Sequence, residues 1–127
     1  MKEKILAGIK KEIQRNIKKQ EHYMGQIQSS PYGVDDAALH NLVEYKVGCS
    51  ILYKIRHELE KDGVTASQAL ETVLSSLRED LLSNKHRAAS TSPFSNAINE
   101  VIRGVKSEWV LINTSMAQLL QEKENEE

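Results

Sequence analysis

Cysteine, phenylalanine and tryptophan occur once each in this 127-residue chain, and proline only twice. A lone cysteine, Cys49, can form no disulfide within the chain. That suits a reducing compartment, and the cytoplasm is the expected location. Two prolines and six glycines leave long stretches with nothing to interrupt a helix. No apolar run approaches the ~20 residues that a bilayer-spanning helix requires, so no membrane span is expected. Residues 1–16 are charged at the start but lack a continuous apolar core and a small-residue cleavage site, and they do not read as a signal peptide. Also missing are Gly-x-Ser-x-Gly, a phosphate-cradling glycine loop and Glu-x-x-His, which weakens the case for nucleophilic, phosphoryl-transfer and bundle-type metal chemistry.

What the chain does contain is charge and helical periodicity. Charged residues make up 28% and hydrophobic ones 39%, a balance typical of folded rather than disordered chains. The near-neutral total, −1, conceals a gradient. Residues 1–19 hold Lys2, Lys4, Lys10, Lys11, Arg15, Lys18 and Lys19 against only Glu3 and Glu12, whereas the last six residues hold four glutamates and one lysine. Head and tail could attract each other within one chain or between two. Equally, both could be solvated surface, because an exposed ion pair is worth under ~1 kcal/mol.

Four apolar periods predict four helices. In the first, over 2–28, Ile5, Ile9, Ile13 and Ile17 recur every four residues and Met24 and Ile27 continue the line, a narrow stripe on a polar helix. Ser29-Ser30-Pro31-Tyr32-Gly33 stops it. Asp35 or Asp36 is a suitable N-cap for a second helix reaching about Lys61. Its apolar face is broader, with Leu39, Val43, Val47, Ile51, Ile55 and Leu59 on one line and Leu42, Tyr45, Cys49 and Leu52 beside it, so it is expected at the centre of the fold. Gly48 in its middle predicts close approach by a neighbouring helix backbone. Gly63 ends it. Thr65-Ala-Ser-Gln68 reads as a capping box for a third helix to about Asn84, with Leu70, Val73, Leu74, Leu77, Leu81 and Leu82 inward. The fourth is expected from Pro93, after a Ser92 cap, to Gln121. Its main stripe is Ile98, Val101, Val105, Ile112, Met116 and Leu119, flanked by Ile102, Trp109 and Leu120. The expected fold is all-α, an antiparallel bundle of about four long helices forming a single domain over 1–121, with an acidic, disordered tail over 122–127. The surplus of apolar helix surface predicts a homo-oligomer, with the first helix the most detachable from the rest.

Candidate chemistry is sparse, and no catalytic residue, cofactor or metal is expected. Asp36, His40 and Glu44 share one helix face at four-residue spacing, which suits an N-cap and exposed polar contacts as well as a metal ligand set. Cys49 lies amid apolar neighbours and reads as a small hydrophobe. Adjacent acids such as Glu79 and Asp80 point in different directions and suit solvent. The segment before the fourth helix is the most suggestive. Lys85, Arg87, Ser90, Thr91, Ser92 and Asn96 would surround an anion at a helix N-terminus, with Phe94 against the rest of a phosphorylated small molecule or nucleotide. Ordinary helix-end chemistry explains the same residues: Lys85 and Arg87 on the third helix's last carbonyls, Ser92 as a cap. The basic face of the first helix could follow nucleic-acid phosphates, but the acidic balance of the whole chain argues against it. Its thin apolar stripe gives a membrane surface little to hold. The leading expectation is a non-enzymatic, oligomeric protein acting through protein–protein contacts, as a regulator, adaptor or inhibitor. Binding of a phosphorylated ligand at the fourth helix is the alternative.

Overall fold

Every apolar period becomes a helix. The computed structural model describes residues 2–30, 36–83 and 93–126. In chain order it holds α1 (Lys2–Gln28), α2 (Asp36–Leu59), α3 (Ala66–Leu82) and α4 (Pro93–Glu126), with no strand among the described residues. The molecule is an all-α helical bundle.

The turns follow local chemistry. Thr65 and Gln68 form the capping box reciprocally: the Gln68 backbone N–H donates to Thr65 Oγ1 at 3.2 Å, and the Thr65 N–H donates to Gln68 Oε1 at 2.9 Å. Between α2 and α3, Gly63 adopts φ 77°, the left-handed region that a side chain would disfavour. α2 ends at Leu59 and α3 at Leu82, each about two residues short of the expected stop. α4 opens on Pro93, as its fixed φ favours. The Asp35 and Ser92 caps lie outside the described residues.

α2 is central, packing against each of the other three helices, while α1 lies along α2 and α3 along α4. The main core joins Ile51, Ile55 and Leu59 of α2 to Ala69, Leu70, Val73, Leu74 and Leu77 of α3, closed from α4 by Ala117. A smaller cluster of Ile13, Cys49 and Leu52 fixes α1 to α2, with Trp109 of α4 against it. Ile13 is the only fully buried residue of α1, so that helix is peripheral as its narrow stripe implies. Met24 and Ile17 remain exposed. Antiparallel order is visible at the ends: Lys2 Nζ donates to the Lys61 carbonyl at 2.9 Å, and Glu124 reaches the start of α3.

Three details differ from expectation. Leu82 is 82% exposed, because it lies about 100° round the helix from Leu81 and off the packed face. Gly48 meets no backbone. A Cβ there would find only the Asn16 amide at 3.6 Å, an ordinary contact. The fourth helix runs past Gln121, where polarity predicted its stop, and continues to Glu126. The reason is polar anchorage: the Ser67 N–H donates to Glu124 Oε1 at 2.9 Å and its hydroxyl donates to Oε2 at 2.5 Å. A carboxylate at a helix N-terminus meets unsatisfied N–H groups and a favourable dipole. Burial raises the Glu124 pKa, but the hydrogen bonds from Ser67, Thr65 and Ala66 outweigh it and hold the carboxyl below its ordinary value.

Candidate functional site

The largest departure concerns which face of α4 is packed. Ile112, Met116 and Leu119, three members of its expected main stripe, are 62%, 49% and 52% exposed. The helix instead turns Lys106, Val110, Ala117 and Glu124 towards its neighbours, residues spaced by four and seven on one face. That face carries polar links to α3. Lys106 Nζ and Asp80 Oδ2 pair at 2.8 Å with side chains only 9% and 16% exposed. Arg78 donates to Thr114 Oγ1 at 3.1 Å, and Arg103 donates to the Leu81 carbonyl at 3.2 Å near the C-terminus of α3. Asp80, expected to face solvent, therefore sits in the α3–α4 seam. The signal that could have found it was Lys106 itself, a lysine in register with Val110 and Ala117.

Rotated this way, α4 leaves its apolar flank beside α1 without closing on it. α1 and α4 share no extended packing seam among the described residues. Between them, floored by α2, lies a hollow of about 470 Å³, and it runs into a second of about 450 Å³ between α2 and α4 that shares Glu44, Val105 and Glu108, the two forming one groove. The first has an apolar floor of Leu52, Val105, Trp109 and Ile112, with the bare backbone of Gly48 between them. Met116 and Leu119 continue the apolar line along α4. Tyr45, on the α2 side, is held by a stacked Tyr23 with ring centroids 5.7 Å apart. Helix-in-groove recognition needs such a trough between helices, with apolar anchor points at helical spacing.

The rim is acidic. Glu12, Glu44 and Glu108 border the first hollow and Glu100 joins them at the second, while no lysine or arginine among the described residues lines either. Glu12 pairs with Arg15 at 2.6 Å, and Glu44 hydrogen-bonds His40 at 2.7 Å. Glu100 and Glu108 have no ion-pair partner among the described residues. Across the same α2–α4 contact the opposite hollow is lined by Lys46, Lys54 and Lys106. The two flanks of α2 therefore carry charge of opposite sign.

The residues singled out for chemistry fare differently. Lys85, Arg87, Ser90, Thr91 and Ser92 lie outside the described residues, and of Phe94 only the backbone is described. Asn96 is described, and its Oδ1 is buried without a hydrogen-bond partner among the described residues. His40 and Glu44 engage each other, while the side chain of Asp36 lies outside the described residues. Cys49 packs against Ile13 and Leu52. The α1 cations Lys10, Lys11, Arg15, Lys18 and Lys19 all face solvent, and the acidic end of α4 meets α3 at Ser67. No helix among the described residues is long and apolar enough to cross a membrane. No known protein family, curated protein or solved structure matches the chain.

Proposed function

We propose that this chain is a non-enzymatic protein that acts by binding another polypeptide chain, as small regulators, adaptors and inhibitors do, and that the open α1–α4 groove is its binding surface. The observation that carries this reading is the exposed stripe of Ile112, Met116 and Leu119 on α4, continuous with the apolar groove floor. Contiguous apolar surface rimmed by polar groups is the usual mark of an interaction site. Trp109 adds the large anchor surface on which interface energy tends to concentrate. A homo-oligomer, the other way to cover surplus apolar surface, would compete for this same stripe.

Site-specific photo-crosslinking tests the reading. A photoreactive side chain in place of Ile112 should give a discrete cross-linked species in cells, whose mass separates a second copy from a different protein. The same group in place of Gln14, on the solvated face of α1, should give none. Equal labelling at both positions, or none at Ile112, contradicts the proposal.

A further inference from the structure

Building on that reading, we infer that the occupant of the groove is a basic amphipathic helix of a different protein, selected by the acidic rim. Two observations carry this. The floor of Leu52, Val105, Trp109 and Ile112 supplies apolar contacts for residues spaced along one helix face. Four carboxylates, Glu12, Glu44, Glu100 and Glu108, stand along its edges with no lysine or arginine among the described lining residues. Lysines or arginines flanking the apolar stripe of an incoming helix would meet these carboxylates, which steers association and rejects acidic helices.

A second copy of this chain fits less well, for reasons of charge. Self-pairing through the α4 stripe brings Glu100 and Glu108 of each chain towards the other's α4, where the exposed charges are again mostly glutamates, Glu122 and Glu126 among them. The lysines that could offset them lie on the outer faces of α1 and α2, away from the α4 stripe, where Ile17, Met24 and Tyr53 are only scattered apolar side chains. Like charge across an interface disfavours that pairing. The apolar stripe permits either occupant, whereas the rim discriminates between them.

Trp109 is the sole tryptophan and lies in the groove floor, so its emission reports occupancy directly. The probes are two tryptophan-free, fluorescein-labelled peptides of about 20 residues, long enough to hold a helix. They share one leucine/isoleucine stripe and differ only in lysine or glutamate flanks. The lysine-flanked peptide should shift Trp109 emission saturably and bind on the order of tenfold more tightly than its glutamate twin, as several exposed pairs of modest strength would give. Glu44→Gln with Glu108→Gln should erase that preference; both side chains are exposed, and circular dichroism checks that the fold persists. Added salt should weaken the lysine-flanked peptide alone. Equal binding of both peptides overturns the inference while leaving the groove reading standing. Binding of neither overturns both. A chain that sediments as a dimer and blocks both peptides until Ile112→Glu frees the groove shows that a second copy is the occupant.

Discussion

The two long edges of α4 are built on opposite terms. Along α3 the edge is closed, with Ala117 in the main core, the Lys106–Asp80 pair largely buried, Arg78 spanning to α4, and Arg103 and Glu124 spanning to α3. Along α1 the edge is open, although the side chains there, Val105, Ile112, Met116 and Leu119, are the more apolar set. A helix with two candidate faces is oriented by more than its hydrophobicity. Each buried polar group must find its partner, and leaving a lysine or aspartate unpaired costs more than leaving an isoleucine in water. Turning α4 by about one residue's rotation would bury Ile112 but separate Lys106 from Asp80 and Glu124 from Ser67.

Truncation should show the contrast at its largest in the closed region. Leu74→Ala or Leu77→Ala, both fully buried, should destabilise the chain by about 3 kcal/mol in urea unfolding, with Ile112→Ala within about 0.5 kcal/mol of the parent. A loss at Ile112 comparable to that at Leu74 would mean the edge is not open. Next comes the ion pair. Lys106→Ala, which takes one partner from the mostly buried Asp80 carboxylate, should cost about 2 kcal/mol, and Lys106→Met with Asp80→Leu should recover most of it. Failure of the double variant to recover would show that the pair fixes the rotation of α4 and does more than satisfy itself.

Smaller effects sharpen the comparison at the helix ends. Thr65→Ala should cost about 1 kcal/mol through the lost cap. Glu124→Gln should act through pH. Because the folded carboxyl titrates below its ordinary value, its contribution is complete above the unfolded pKa of 4.5 and is lost as pH falls through the lowered folded value. Parent and Glu124→Gln should therefore differ in stability near neutrality and converge in acid, as followed by thermal unfolding at a series of pH values. The smallest effect is on the open side. Gly48→Ala should stabilise by up to about 1 kcal/mol, since its Cβ meets only the Asn16 amide at ordinary distance. A loss instead would mean that a backbone passes closer than the structure shows.

The helices were legible because periodicity and punctuation agree. Thr65 and Gln68, Gly63 and Pro93 each act within a few residues, and local chemistry is what a sequence displays. The centrality of α2 was legible too, from the breadth of its apolar face. The rotation of α4 was not. It depends on pairings between residues far apart in the chain, Asp80 with Lys106 and Ser67 with Glu124, and no spacing rule links them. For the same reason the groove went unseen: by pattern Ile112 belongs to the main stripe of the fourth helix and Trp109 to its flank, and the exposure of Ile112 follows only from where α1 comes to rest on α2. Glu12, Glu44, Glu100 and Glu108 sit on three different helices, so their common rim exists only in three dimensions.

The account rests on the α1–α4 edge being open in the chain by itself, and urea unfolding of the parent and of Ile112→Glu/Met116→Glu at two protein concentrations about 100-fold apart tests it most directly, because self-association would make stability depend on concentration. Open edges predict midpoints that coincide at both concentrations and change little on substitution. A parent midpoint that climbs with concentration, and a substituted one that drops and no longer climbs, would show that a second copy already covers the stripe.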